Sequence, residues 1–211
     1  MSTQDGDGAL IIACGALAQE IAALRRVNRW RRLDVRCLPP ELHNRPERIA
    51  GAVRAVIQAE RARYRTIFVA YGDCGTGGEL DRVLQAEGVE RIPGAHCYEF
   101  FATSAVFEAL SEAEIGTFYL TDFLLRHFDR LVIRGLGLDR HPELMPTYFG
   151  HYRKLVYLAQ SPMEGARERA LAVAERLGLA FEYRATGHGT LGTRLAAALQ
   201  RHHQGATAWA L

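Results

Sequence analysis

The sequence predicts an α/β protein, a three-layer, Rossmann-like parallel sheet with helices on both faces. Two observations carry that prediction. Short apolar runs alternate with stretches whose apolar residues recur at helical spacing, and no Pro/Ser linker, low-complexity tract or fixed-period repeat interrupts the alternation. The chain has 211 residues, 48% hydrophobic and 24% charged. That is ordinary globular composition, and folding at this size buries roughly 70% of the unfolded surface. The expected organisation is a polar tail over 1–8 and a single α/β domain over 9–211.

The run Ala9 to Ala13 reads as a buried strand, and Gly15 to Arg26 as a helix with Leu17, Ile21 and Leu24 on one face. Leu33 to Leu38 is a second strand, stopped by Pro39-Pro40. Asn44 is read as the N-cap of the next helix, which Arg45-Pro46 open and whose apolar face carries Ile49, Val53, Val56 and Ile57. Thr66 to Ala70 is the clearest strand and runs into a glycine-rich loop and a helix carrying Leu80, Val83 and Leu84. Val89 to Ile92 is a short strand, followed by a long helix from near His96 to about Glu114. Thr117 to Phe128 leans to helix, and Leu131 to Ile133 is either a short strand or that helix's tail. Lys154 to Ala159 is a strand, and Pro162 to Leu177 a helix that Gly178 stops. Leu179 to Arg184 is the last strand, and Thr190 to His202 the last helix.

Composition narrows the function. The net charge of +2 argues against a general polyanion binder. Twenty-five arginines against the single Lys154 read as codon usage. The arginines around Trp30 (Arg25, Arg26, Arg29, Arg31, Arg32 and Arg36) read as a solvated helix end, with no nucleic-acid partner expected. The aromatic residues between Phe118 and Tyr152 read as core or a partner surface. No apolar run approaches a membrane span of ~20 residues, and residues 1–8 lack a signal-peptide pattern. Four cysteines in such a chain are expected to be reduced thiols in the cytoplasm.

Parallel sheets bind ligands beyond the carboxyl ends of their strands. Those positions hold Cys14, then Glu41-Leu42-His43, then Asp73-Cys74, then His96-Cys97-Tyr98-Glu99. Three thiols and an imidazole would converge on one crevice, a donor set that suits a tetrahedral zinc, with iron the other candidate. The expected metal ligands are Cys14, His43, Cys74 and Cys97. His43 is preferred to His96, because His96 and Cys97 would point in different directions on a helix. His188 is a further candidate. Cys37 lies inside a strand and reads as a small core residue. Asp73 and Glu99 are candidate acid/base residues, while Glu41 is read as a surface ion pair. Gly72, Gly75 and Gly77 allow close backbone approach, and their loop could hold an anion of a cofactor. Gly187-His188-Gly189-Thr190-Leu191-Gly192 matches a dinucleotide fingerprint in spacing, but no ribose-binding acid follows it, so it reads as a tight turn.

The segments Ala13-Cys14-Gly15-Ala16-Leu17, Leu42-His43-Asn44, Tyr71-Gly72-Asp73-Cys74-Gly75 and Pro93-Gly94-Ala95-His96-Cys97-Tyr98 resemble a bacterial and archaeal family of proteins of unknown function. The resemblance runs from Leu10 to about Leu199, with Y-G-D-C-G and H-C-Y its most specific parts. Members of that family tend to be encoded beside corrinoid-dependent methyltransferase systems. The resemblance therefore implies a link to one-carbon or methylamine-type metabolism, and its motif cysteines correspond to Cys14, Cys74 and Cys97.

Three functions follow as expectations. The first is a metal-binding enzyme or accessory factor of one-carbon transfer. The second is a non-enzymatic metal-handling module that docks on a corrinoid protein or methyltransferase subunit, with a corrinoid contact of its own. The third is metal-free thiol chemistry, with Cys74 as nucleophile and His43 or His96 as base.

Overall fold

The computed structural model describes residues 8–207, with side chains to residue 200, and its first element is β1 (Ala9–Cys14). The tail expected over 1–8 lies almost wholly outside the described residues. Leu10 to Ala13 are fully buried, because a central strand of a parallel sheet is covered on both faces. A 3₁₀ turn over Gly15–Leu17 leads into α1 (Ala18–Val27), then β2 (Leu33–Leu38). Two 3₁₀ turns, Pro40–Asn44 and Pro46–Arg48, precede α2 (Ile49–Glu60). Asn44 therefore ends a 3₁₀ turn rather than capping α2, whose first turn has no side-chain cap. β3 (Thr66–Ala70), α3 (Glu79–Glu87) and β4 (Glu90–Arg91) follow.

These strands form a parallel sheet in the order β2-β1-β3-β4. From β1 the chain steps outward to β2, then crosses back over β1 to β3. Right-handed crossovers place α1 on one face and α2 and α3 on the other. Strand order thus reverses between β1 and β3, and the loops after these two strands diverge there. Arg54 and Gln58 of α2, with Arg61 just after its last residue, converge on the Glu87 carboxylate at the end of α3, which joins the two helices on their shared face.

From Tyr98 to Thr190 the chain forms a second compact unit with its own sheet. The long helix expected from His96 is two helices, α4 (Tyr98–Ala102) and α5 (Ser104–Ala113), broken at Thr103, where φ is +66°. The stretch expected to be helical opens instead as β5 (Thr117–Thr121). Thr117, Phe118, Tyr119 and Thr121 are β-branched or aromatic, and such residues fit a pleated surface. Thr121 Oγ1 then accepts from Leu124 N–H and caps α6 (Asp122–Arg126). A π-helical turn over Asp129–Arg134 takes the place of the strand considered at Leu131, and α7 (Met145–Phe149) precedes β6 (Lys154–Ala159). α8 (Ala166–Leu177) and β7 (Ala180–Ala185) complete a parallel sheet in the order β5-β6-β7. α9 (Leu191–Thr207) returns to the first unit. There Gly192 packs against Leu24 of α1, where a Cβ would come within 2.9 Å of a Leu24 methyl.

The strands thus divide between two parallel sheets, where the sequence suggested one. β4 is two residues long and is followed by Ile92-Pro93, too short an edge to template a fifth strand. Within the second unit the side chains of β6 alternate. Leu155 and Tyr157 pack with α6, α8 and the π-turn, and Val156 and Leu158 pack with Ala102, Leu110 and Tyr119. Helices therefore cover both faces of that sheet.

One buried polar cluster pins the carboxyl edge of the second sheet. Asp122, fully buried, accepts from Tyr157 Oη (2.8 Å), Gln160 N–H (3.2 Å), and Ser161 N–H and Oγ (2.9 and 2.8 Å). Its own N–H donates to Gln160 Oε1 at 2.7 Å. A buried carboxylate is tolerated only when its lone pairs are filled in this way. Asp122→Ala strands four donors and is expected to lower stability by about 3 kcal/mol. Urea unfolding checks this, and a loss below about 1 kcal/mol contradicts the pinning role.

Candidate functional site

The site lies in the first unit and begins with an extension of strand pairing beyond the sheet. Ile92 N–H donates to Val69 carbonyl at 3.0 Å. The chain then turns at Pro93-Gly94, and pairing resumes in the other direction. Asp73 N–H donates to Gly94 carbonyl (3.0 Å) and Cys74 N–H to Ala95 carbonyl (2.8 Å). The segments after β3 and after β4 are thereby laced together, and their cysteines meet. Gly72 permits this approach: a Cβ there would sit 2.8 Å from the carbonyl carbon of His96. Arginines hold the outer segment from the other side. Arg91 Nη1 donates to the carbonyls of Ile92 and Gly94, and Arg194 Nη1 to that of Pro93.

Cys74 Sγ and Cys97 Sγ are 3.3 Å apart, within hydrogen-bonding distance for sulfur. The shared proton splits their titration. Cys74 is held well below the ordinary thiol range, first by the Cys97 bond, then by a hydrogen bond from His96, with the charge of His43 adding to it. Cys97 is pushed up by the same bond and by burial. The Cys74 backbone is in the left-handed region, φ +50°, which costs a non-glycine residue of order 1 kcal/mol or more.

Cys14 ends β1 on the opposite side of the switch point. It is buried, accepts from Ala16 N–H, and has its pKa pushed up to about 11, chiefly by burial. Tyr71 lies beside it, only 2% exposed, and its hydroxyl oxygen is buried with no oxygen or nitrogen partner. Burial first, then the neighbouring Cys14, to which it is hydrogen-bonded, keeps that phenol protonated. The three motif thiols are thus electrostatic neighbours. Among the described residues, no three or more His, Cys, Asp or Glu side chains are already arranged around a metal position.

Other expected site residues take different places. His43 is exposed, in the 3₁₀ turn after β2. His96 reaches Cys74 because residues 94–97 form bends and a turn; the helix begins only at Tyr98, so the helical argument against His96 does not apply. Asp73 faces its own loop. Its carboxylate accepts from Thr76 Oγ1 (2.6 Å), Gly77 N–H (3.2 Å) and Gly78 N–H (2.9 Å), and these bonds, Thr76 first, keep it ionised. The two loop N–H groups at Gly77 and Gly78 are therefore spent on Asp73. Gly75 and Gly77 serve the turn itself, at φ +84° and +62°. Glu99 and His188 belong to the second unit, where Ser104 Oγ donates to Glu99 at 2.6 Å. Cys37, expected in the core, is exposed, because β2 is the edge strand of its sheet. Tyr71 and Arg91 were missed. A buried tyrosine beside a cysteine motif was a usable signal for the first, but nothing local marked the second.

These features define a parallel α/β protein with a thiolate-centred cluster at a strand-order switch point. The chain belongs to the family described as "Protein of unknown function (DUF1638)", whose model matches residues 37–195. That span contains Cys74 and Cys97, while Cys14 precedes it. No curated protein and no solved structure matches the chain. No helix among the described residues is long and apolar enough to cross a membrane.

In reduced, metal-free protein one thiolate is expected to persist well below the pH at which an ordinary thiol ionises. It disappears only as the pH falls through the lowered Cys74 value. Thiolate ultraviolet absorbance against pH measures this. Cys74→Ser should abolish the low-pH signal, and His96→Ala should move it upward. A first thiolate appearing only above about pH 8 contradicts the described pairing.

Proposed function

We propose that this protein binds a soft or borderline metal ion, zinc first, through Cys14, Cys74 and Cys97, and serves corrinoid-linked one-carbon metabolism in the cytoplasm. One observation supports the metal reading above the others. Three thiols arrive from three separate strand ends at the switch point, and one is already held as a thiolate with an imidazole bonded to it. The donor chemistry suits the ion, since thiolates and imidazole are the commonest zinc ligands. Sulfurs on one tetrahedral zinc sit about 3.8 Å apart for a Zn–S distance of about 2.3 Å. The pair at 3.3 Å would open by about half an ångström and release its shared proton to make room.

The fourth position falls to His96 or His43, or to substrate in an open site. His96 has the shorter reach because it already bonds Cys74. In an open site zinc supplies Lewis-acid activation of a thiol or methyl acceptor. The link to corrinoid methyl transfer rests on the motif resemblance. It carries two forms, an enzyme acting on a methyl group and a docking module for a corrinoid protein or methyltransferase subunit. Stable co-elution with a corrinoid protein, without turnover, favours the module.

Metal-free thiol chemistry is the second reading, favoured by the 3.3 Å contact itself. A thiolate that shares its neighbour's proton and has an imidazole in contact is an activated nucleophile.

Elemental analysis of protein purified without a histidine tag separates the two. About one zinc or iron per chain is expected, lost in Cys74→Ser and Cys97→Ser. Full metal content in Cys74→Ser, or none after anaerobic reconstitution, overturns the metal reading. In the latter case rapid and selective alkylation of Cys74 relative to Cys37 is the mark of the second.

A further inference from the structure

A separate feature lies on the first unit, between α1 and the edge strand β2. A cavity of about 700 Å³ opens there, lined by Arg25, Arg26, Arg29, Arg31, Trp30 and Cys37 among others, and no carboxylate lines it. Its floor is apolar. Ala18 and Ala22 lie one turn apart on α1, and Val35 and Cys37 share a face of β2.

Several guanidinium groups of the unit are matched with carboxylates: Arg36 with Glu60, Arg54 and Arg61 with Glu87, and Arg91 with Asp81. Among the described residues no ion pair involves Arg26, Arg29 or Arg31, and Arg25 spends its Nε–H on the Trp30 carbonyl at 3.3 Å. Like charges around one hollow repel each other, and an anion relieves that repulsion.

The backbone adds a second observation. α1 ends in a turn in which Trp30 N–H donates to Arg25 carbonyl (3.0 Å) and Arg29 N–H to Arg26 carbonyl (3.3 Å). This puts Arg29 at the position after the cap, with φ +54°. Glycine is favoured there, and a side chain costs about 1 kcal/mol. An arginine at that position places a guanidinium on the cavity wall against the preference of the turn.

From these observations we infer that this cavity binds a nucleoside di- or triphosphate. Guanidinium groups recognise phosphate oxygens in bidentate fashion, and a tryptophan face stacks on a flat heterocycle. The volume lies within the range of small-molecule sites. A ligand carrying both groups uses the charged rim and the indole together. The inference is independent of the thiol site, since none of its residues belongs to that cluster.

The test uses the full chain carrying Trp209→Phe, so that Trp30 is the sole indole, titrated with ADP and ATP. The expected result is saturable change in Trp30 fluorescence, and protection of Cys37 from alkylation read by peptide mass spectrometry. Adenosine and inorganic pyrophosphate, each with half of the ligand's chemistry, should bind at least about tenfold more weakly. Arg29→Gly relaxes the turn, so it should fold at least as well while weakening ADP binding about tenfold. Equal binding of ADP by Arg29→Gly overturns the inference, as does the absence of both signals at millimolar nucleotide. Pyrophosphate binding as tightly as ADP also overturns it and leaves a plain phosphate site. Tighter binding of a single-stranded RNA than of ADP overturns it in favour of a nucleic-acid surface.

Discussion

The pairing of the segment after β3 with the segment after β4 is the constraint on which the thiol cluster depends. Two hydrogen bonds, Asp73 N–H to Gly94 carbonyl and Cys74 N–H to Ala95 carbonyl, continue main-chain pairing past the last residue of β4. They hold only because Gly72 has no side chain to strike His96. With that approach secured, Cys74 and Cys97 are in contact, His96 reaches Cys74, and one proton serves two sulfurs. The left-handed backbone of Cys74 and the internal bonds of Asp73 are consequences of the same turn. Local strain is placed where the chemistry is, and Arg91 and Arg194 hold the surrounding loop in register.

Topology supplies the other half of the site. β1 and β3 are neighbours, yet their following helices leave in opposite directions, so the ends of the two strands flank an opening. Cys14 stands on one side of it and Cys74 on the other. Cys14 keeps its proton because burial disfavours the thiolate, and Tyr71 beside it is likewise neutral. The cluster is therefore poised unevenly: one anion, two neutral thiols and a phenol. Such a set gains from a cation that would draw the remaining protons off, which is the physical basis for reading it as a metal site.

Much of this was legible in the residues. β2, β3 and β6 have the boundaries their apolar runs suggested, and the placement of Cys14, Cys74 and Cys97 at strand ends followed from the parallel rule alone. Other features depended on tertiary context. β5 is buried on both faces, so its sequence shows no alternation, and it was mistaken for the start of a helix. Cys37 looked like core because it lies inside a strand, but strand order makes β2 an edge, and order is not written in any one strand. His96 was set aside on a helical geometry that the chain adopts only two residues later. The division into two sheets was hidden for a similar reason: alternation of strand and helix reads the same in one sheet or two.

The central claim is that the three motif thiols act together as ligands of one metal ion. Cobalt(II) titration of the reduced, metal-free chain under anaerobic conditions tests it most directly. Cobalt reports both the number of bound thiolates, through its sulfur-to-metal charge-transfer absorbance, and the coordination geometry, through its visible bands. The account predicts one tetrahedral cobalt per chain, with charge-transfer intensity that falls by about a third in each of Cys14→Ser, Cys74→Ser and Cys97→Ser. A spectrum without thiolate charge transfer, or one unchanged by all three substitutions, would contradict it.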